Sequence, residues 1–167
     1  MHIRHASSSD FQRLQAIELA AFETLRNARA VGGVPSASSD DELRRYLDDG
    51  LLYVACDEDG APVGYSGGYL VEGFLYVGEV DVLPAWQRKG LGRRLIATLV
   101  EEARRRRLAG ATLTTDRFAP FNAPFYEKLG FRIIEGEAVP RHLRDNLERQ
   151  VGNGLDPVRR IAMALLF

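Results

Sequence analysis

The feature that most constrains this fold is a change of pattern near the middle of the chain. From Leu51 to Leu83, three runs rich in Val, Tyr and Leu are separated by the short turns Glu58–Gly60 and Val71–Gly73, which is typical of an antiparallel meander. Apolar residues then recur at helical spacing from Gly92 to Leu108, and Ala111 to Thr115 is strand-like again. A helix that joins two strands in this order forms a right-handed crossover, so these strands are predicted to be parallel.

The segments on either side complete a mixed order of helices and strands. Before this region the predicted elements are a strand at Met1–Ala6, a helix that begins after Ser9 or Asp10, a loop over Ala28–Ser39 and a helix at Asp40–Asp49. After it they are a helix at Ala123–Leu129, a strand at Phe131–Ile134, a helix at Arg141–Gln150 and a strand at Arg159–Phe167. Because no repeat or Pro/Gly/Ser linker divides the chain, residues 1–167 are predicted to form a single α+β domain.

Composition and charge argue against several classes of function. The net charge of −1 gives no bulk reason to expect nucleic acid as a partner, and the run Arg104–Arg107 suits the end of a helix. The single Cys56 fits a reducing compartment, and no stretch approaches the ~20 apolar residues of a membrane span. The histidines are not at metal-ligand spacing, and His142 is predicted at the surface, with a place near the functional site as the alternative. We therefore expect a cytoplasmic protein without a metal site or a membrane partner.

The segment most informative about function is the loop before the crossover helix. Residues Gln87–Gly92 read Gln-Arg-Lys-Gly-Leu-Gly, and Arg93 follows. Glycines let the backbone turn tightly and let amides approach a ligand, and the first amides of a helix attract anions. Arg88, Lys89 and Arg93 add positive charge beside them. The pattern therefore predicts a pyrophosphate site.

Taken alone, the same loop has a simpler explanation, a solvated basic turn before a surface helix. The order Gly-x-x-x-x-Gly-Lys-Ser/Thr of a P-loop is missing. The full Gly-x-Gly-x-x-Gly fingerprint directly after the first strand is missing too. The loop therefore predicts neither a P-loop nor a Rossmann site.

Two motifs together resemble the GNAT superfamily of acetyl-CoA-dependent N-acetyltransferases. The family signature runs Val-x-Pro, a few residues, then Gln/Arg-x-x-Gly-x-Gly/Ala at the head of a helix. This chain has Val82-Leu83-Pro84 followed by Gln87–Gly92. The ending Phe-Tyr-x-x-x-Gly-Phe within Asn122–Phe131 resembles the family's fourth main helix and the strand after it. The resemblance follows the whole chain in element order and is most specific from about Val77 to Phe131.

The resemblance implies a GNAT-type mixed α/β fold with a mostly antiparallel sheet of six to seven strands. Helices cover both faces, and the parallel fourth and fifth strands splay apart to admit the pantetheine arm of acetyl-CoA. The implied activity is direct transfer of the acetyl group to a primary amine of a small molecule or peptide, and the identity of that amine stays open. The amine is expected to enter between the first two helices, the Ala28–Ser39 loop and the Arg141–Gln150 segment. Glu18, Phe22 and Glu23 are lining candidates, although a place in the core is preferred for Phe22.

Two further possibilities stay open. Members of the family often dimerise, so a homodimer is allowed. A catalytically silent acetyl-CoA-binding sensor of the same fold is the alternative to an enzyme.

The resemblance also assigns cofactor contacts residue by residue. The strand before the loop would pair with the pantetheine arm, the loop amides would hold the pyrophosphate, and the Tyr126 hydroxyl would lie near the thioester sulfur and protonate the departing thiolate. The implied cofactor-binding residues are Val80, Asp81, Val82, Gln87, Arg88, Lys89, Gly90, Leu91, Gly92, Arg93, Asn122 and Tyr126. One departure concerns the asparagine that many members carry seven residues before the tyrosine, where this chain has Ala119.

The chemistry also requires a base, because an alkyl amine with a pKa near ~10.4 needs roughly 4–5 kcal/mol to reach its neutral form at neutral pH. Glu79 is the first candidate, Asp81 the second, and Asp116 the third. Strict alternation puts Glu79 and Asp81 on the same strand face as Leu75 and Val77. A bulge, which is common in this strand of the family, would break that alternation. A pair of acids at a wet strand end is the alternative explanation.

Overall fold

The computed structural model describes residues 1–27, 29 and 34–167, which form a mixed seven-stranded sheet with helices on both faces. The strands are β1 (His2–His5), β2 (Leu52–Cys56), β3 (Pro62–Val71), β4 (Phe74–Val82), β5 (Gly110–Asp116), β6 (Arg132–Ile134) and β7 (Arg160–Leu166). The helices are α1 (Phe11–Asn27), α2 (Asp40–Asp48), α3 (Leu91–Arg105), α4 (Ala123–Glu127) and α5 (Arg141–Gly152). The predicted fold class is confirmed. Part of the predicted loop over Ala28–Ser39 lies outside the described residues.

The sheet has the order β1-β2-β3-β4-β5-β7-β6, and β4–β5 is its parallel pair. That parallel contact is short, because it joins only Leu75 to Ala111 and Tyr76 to Thr112. Beyond it, β4 stays paired with β3 up to Val82, and β5 stays paired with β7 up to Asp116. The second halves of β4 and β5 therefore diverge and leave a gap, as predicted.

The two faces of the sheet carry different helices. Helix α3 buries an apolar stripe against one face, where Leu95, Ile96 and Leu99 pack on Leu75 and neighbouring strand residues. Helices α1 and α2 cover β2 and β3 on the opposite face, and α5 covers β5 and β7 there. This second face carries most of the ionisable groups described below.

Local contacts explain where several elements begin and how they are held. The Ser39 side chain accepts a hydrogen bond from the Glu42 amide at 3.2 Å, and the Ser39 amide donates one to the Glu42 carboxylate at 2.8 Å, which caps α2. Within the arginine run, Arg106 pairs with Glu102 at 2.6 Å and donates to the Asp49 carbonyl at 2.6 Å. The arginine run therefore anchors the end of α3. No helix among the described residues is both long and apolar enough to cross a membrane.

The prediction that His142 lies at the surface is wrong. Its ring is buried at the start of α5, with Nε2 3.0 Å from the Thr112 hydroxyl and Nδ1 2.9 Å from Glu72. The ring therefore ties α5 to β5 and to the turn between β3 and β4. Local sequence does not indicate these contacts, because Glu72 and Thr112 are distant from His142 along the chain.

Candidate active site

At the gap between β4 and β5, some peptide groups of β4 have no partner in the part of the chain that the structure describes. The Leu83 amide donates to the Val63 carbonyl at 2.9 Å, which sets the phase of the β3–β4 ladder. The peptide groups of Val80 and Val82 therefore point away from β3 and toward the gap. The Val82 carbonyl accepts a hydrogen bond from the Gln87 side chain at 2.9 Å. The remaining groups form a short free edge that suits an extended, amide-bearing ligand.

A bulge in β4 changes the face on which the two candidate bases lie. Gly67 pairs with Glu79 but Gly68 pairs with Val77, so Gly78 is an extra residue in the strand. Val80 and Val82 therefore continue the α3 face of Leu75 and Val77. The predicted alternation is wrong at this point, because Glu79 and Asp81 lie on the opposite face, toward α1 and α2. They nevertheless remain together on one face.

These two carboxyls and Glu18 from α1 form a tightly coupled acidic cluster. Burial and the nearby charge of Glu18 raise the pKa of Asp81 to about 8. Burial, Asp81 and Glu18 raise the pKa of Glu79 well above its ordinary value. The Glu18 carboxylate accepts hydrogen bonds from the Tyr65 hydroxyl at 2.8 Å and from the Ser38 amide at 2.9 Å. Among the described residues, Asp81 Oδ2 is the one buried side-chain oxygen or nitrogen without a hydrogen-bond partner.

The Tyr126 side chain reaches the same space from the other side of the sheet. Its ring packs edge-on against Phe125 and Phe131. Burial, followed by the charges of Asp81 and Glu79, raises the pKa of Tyr126 above its ordinary value. The phenol therefore stays protonated at neutral pH. It is a proton donor that stands within electrostatic reach of both candidate bases.

The glycine-rich loop presents its amides at the start of α3. Arg88 has φ +61° and Gly90, the residue before the helix, has φ +80°, so the backbone bends twice into the left-handed region. The amides of Leu91, Gly92 and Arg93 then open α3 with no intrahelical acceptor. Such a turn followed by a helix N-terminus favours an anion.

Two side chains of the loop have internal partners. Gln87 lies 3.3 Å from the Thr24 hydroxyl of α1, in addition to its bond to β4, so its side chain holds the loop in place. The Lys89 ammonium lies 5.1 Å from the Trp86 ring centre. The positive charge of Lys89 thus remains beside the loop amides.

Asp116 and Asn122, two other predicted site residues, each have contacts of their own. Asp116 is ion-paired with Arg159 at 2.6 Å and accepts hydrogen bonds from the Phe118 and Ala119 amides. Although burial acts against it, these partners lower the pKa of Asp116, so this carboxyl is a structural anchor and a poor base. Asn122 precedes α4, and its carbonyl accepts from the Phe125 and Tyr126 amides, while its side chain does not cap the helix.

Three further residues belong to this region and were not predicted from the sequence: Tyr46, Tyr65 and Arg160. The Tyr46 ring lies over Gly67 and its hydroxyl lies over Gly78, at the bulge. Arg160 is the one charged residue of the otherwise apolar strand β7, and this position is the feature of the sequence that could have indicated a functional role for it. Nothing local in the sequence marks the two tyrosines, because strand tyrosines are common core residues.

Comparison with known proteins agrees with this architecture. Residues 13–131 match the model of the Acetyltransferase (GNAT) family. N-acetylglutamate synthase from Neisseria gonorrhoeae, complexed with coenzyme A and N-acetyl-glutamate, superposes with TM-score 0.72 at 16% identity; the match covers 99% of this chain but 34% of that one. Rv2747 from Mycobacterium tuberculosis, in complex with CoA and NLQ, gives TM-score 0.69 at 22% identity over 100% of this chain and 99% of that one.

A third similar structure is the ribosomal-protein-S18-alanine N-acetyltransferase from Escherichia coli, with TM-score 0.67 and 21% identity over 99% of this chain and 92% of that one. At these sequence identities, similarity to the solved structures is evidence for the fold alone. The family model, in contrast, matches residues 13–131, which are most of the chain. The splayed strands, the bulged β4 and the loop at the start of α3 agree with that match. The chain belongs to the Acetyltransferase (GNAT) family.

Proposed function

We propose that this protein transfers the acetyl group of acetyl-CoA to a primary amine in the gap between β4 and β5. The observation that carries the proposal is the buried Asp81 carboxyl, which has no partner at Oδ2 among the described residues and lies, with Glu79, on the part of β4 that is no longer paired with β5. A buried acid with an unused oxygen is unfavourable for folding, so its presence suggests a ligand that completes it. A protonated amine supplies the missing donor.

Coenzyme A would lie along β4 and over the start of α3. The pantetheine arm would pair with the free peptide groups of Val80 and Val82, and the pyrophosphate would accept hydrogen bonds from the amides of Arg88–Arg93. The Asn122 side chain would contact the arm near α4. Solved structures of similar fold are in complex with coenzyme A, which supports this arrangement.

The reaction would be a direct attack of the neutral amine on the thioester carbonyl. Glu79 or Asp81, directly or through a water, takes the proton of the ammonium, because their raised pKa values bring them closer to that of the amine. The nitrogen then bonds to the carbonyl carbon, and the carbon–sulfur bond breaks. Tyr126 gives its proton to the departing thiolate, and the second proton that the nitrogen loses as the amide forms replaces it on the phenol oxygen. The cysteine usage supports a cytoplasmic site for this reaction, carried out by a single domain over residues 1–167.

The cofactor assignment is tested by calorimetric titration of acetyl-CoA into the wild type and a Gly90→Glu variant. A matched control is Gly60→Glu, because Gly60 has φ +84° and, like Gly90, has no atom within 4 Å of an added Cβ. Both variants carry the same backbone strain and the same added charge, but only Gly90 lies at the loop. We expect the wild type and Gly60→Glu to bind and Gly90→Glu to lose binding. Equal binding by both variants would rule out this loop as the pyrophosphate site.

A further inference from the structure

Three tyrosines lie together between α2 and α5 and are called the tyrosine floor here: Tyr46 from α2, Tyr69 from β3 and Tyr76 from β4. The rings of Tyr46 and Tyr69 are stacked with centres 6.3 Å apart, and those of Tyr69 and Tyr76 are 4.9 Å apart. Tyr46 lies over the bulge glycine Gly78, next to Glu79. The tyrosine floor therefore begins at the acidic cluster and runs away from it along β3 and β4.

Arg160, the first residue of β7, is a partly buried cation near Tyr76 of the tyrosine floor. Its Nε donates to the Gln150 side chain at 3.1 Å, and its Nη2 donates to the Thr114 hydroxyl at 3.4 Å. That hydroxyl lies 3.1 Å from the Tyr76 hydroxyl, so the guanidinium is connected to the floor. Asp116, the β5 partner of Arg160 in the sheet, is ion-paired with Arg159 instead.

The Arg160 guanidinium is therefore left with unused donors. Among the described residues it has no ion-pair partner, and Nη1 has no hydrogen bond. Burial lowers the pKa of Arg160, opposed by Tyr76, Asp116 and Glu79, so the cation lies within electrostatic reach of the candidate base. An arginine remains charged despite such a shift, and its planar fork matches a carboxylate.

Two more arginines lie beside the tyrosine floor. The Arg45 guanidinium stacks 3.4 Å from the centre of the Tyr69 ring. Arg149 donates to the side-chain oxygen of Asn146 at 2.6 Å, and the side-chain nitrogen of Asn146 in turn donates to the Tyr69 hydroxyl at 3.4 Å. The floor is therefore acidic at the end with Glu79 and Asp81 and basic around Tyr69 and Tyr76.

We infer that the acceptor is a free amino acid, whose carboxylate binds Arg160 while its α-amine faces Glu79 and Asp81. This inference rests on the proposed acetyl transfer and names its substrate class. The two charges of an amino acid are close together and opposite in sign, which matches the polarity of the floor. An aliphatic diamine would bring a second ammonium against Arg160, and a peptide N-terminus has no α-carboxylate to offer it.

The test measures acceptor binding by calorimetry with the enzyme saturated with coenzyme A, which carries no acetyl group to transfer. The probes are the standard amino acids, their α-carboxamides and an aliphatic diamine. We expect at least one amino acid to bind the wild type about 10- to 100-fold more tightly than its own carboxamide, the range of one charge-assisted hydrogen bond. Arg160→Gln should abolish that ratio, and Arg160→Lys should retain part of it.

The charge-matched control is Arg144→Gln, an exposed position on α5, which should keep the full ratio. Coenzyme A binding, measured first for each variant, establishes that the site is folded, and the wild-type comparison needs no variant. Equal binding of acid and carboxamide, preferred binding of the diamine, or binding of no probe would overturn the inference. If amino acids bind in this way but release no thiol from acetyl-CoA, the carboxylate site stands and the proposed transferase function fails.

Discussion

At the scale of single residues, Asp81 is where stability and chemistry oppose each other. Its carboxyl is buried, has one oxygen without a partner among the described residues, and has a pKa of about 8. The unfolded chain ionises this group near its ordinary pKa. Ionisation of Asp81 therefore lowers the free energy of unfolding, and the protonated carboxyl is the form that favours the folded state. That contribution is complete below the ordinary pKa of an aspartate and is lost as the pH rises through about 8.

The first prediction follows from this linkage. Asp81→Asn should raise the melting temperature, and the gain should be larger at about pH 8 than at about pH 5. In a chain of this size, the melting temperature should rise by roughly 2–4 °C for each kcal/mol that the substitution adds to the free energy of unfolding. Thermal unfolding followed by circular dichroism measures it, with Asp59→Asn in the exposed β2–β3 turn as the control. The same gain at both pH values would contradict the raised pKa.

The second prediction concerns the base. The value of kcat/KM should rise with pH and level off near the pKa of the acidic pair, since the protonated carboxyls cannot accept a proton from the amine. Replacing the operating base by its amide, Glu79→Gln or Asp81→Asn, should lower kcat by about 10²- to 10⁴-fold. The dependence of kcat and kcat/KM on pH, measured for the wild type and both variants, identifies which of the two carboxyls is the base. Full activity in both variants would remove the pair from the mechanism.

The third prediction concerns the acid. Tyr126→Phe keeps the ring that packs on Phe125 and Phe131 but removes the hydroxyl. The value of kcat should fall by about 10²-fold, while the affinity for acetyl-CoA should be nearly unchanged. Steady-state kinetics combined with calorimetry measures both quantities. A variant that loses cofactor affinity and keeps kcat would make Tyr126 a binding residue only.

At the scale of elements, the bulge in β4 decides which residues reach the gap. An alternating pattern predicted that Glu79 and Asp81 share a face, and they do. The same pattern gave the wrong face, because one extra residue at Gly78 reverses the alternation. A glycine in a strand is compatible with a bulge, a close packing contact or neither, so local sequence cannot choose among them.

The fourth prediction tests this element. A Cβ at Gly78 would overlap the Tyr46 hydroxyl, so Gly78→Ala should destabilise the protein by about 1–3 kcal/mol. In a Tyr46→Phe background the nearest atom is removed, and the cost of Gly78→Ala should fall. Denaturant unfolding of the two single variants and the double variant gives this coupling. Gly152→Ala, where nothing lies within 4 Å, is the control. Strict additivity of the two changes would contradict the packing of Tyr46 on the bulge.

At the scale of the whole molecule, most of the topology was predictable and the acceptor side was not. The crossover rule and the hydrophobic periods predicted the parallel β4–β5 pair and the helix between them. The divergence of β4 and β5 was predicted from the resemblance to known acetyltransferases. Tyr46, Tyr65 and Arg160 come from three distant segments, and nothing in any one segment indicates that they share a face with Glu79. Long-range contacts of this kind depend on the complete sheet.

The most direct test of the central claim is amine-dependent release of free thiol from acetyl-CoA, with the product identified by mass spectrometry. We predict release that requires both protein and amine, a product acetylated on nitrogen, and loss of both signals in the double variant Glu79→Gln, Asp81→Asn. That variant should still bind acetyl-CoA. Binding of acetyl-CoA without release in the presence of any amine would contradict the account and make the protein a silent binder of the cofactor.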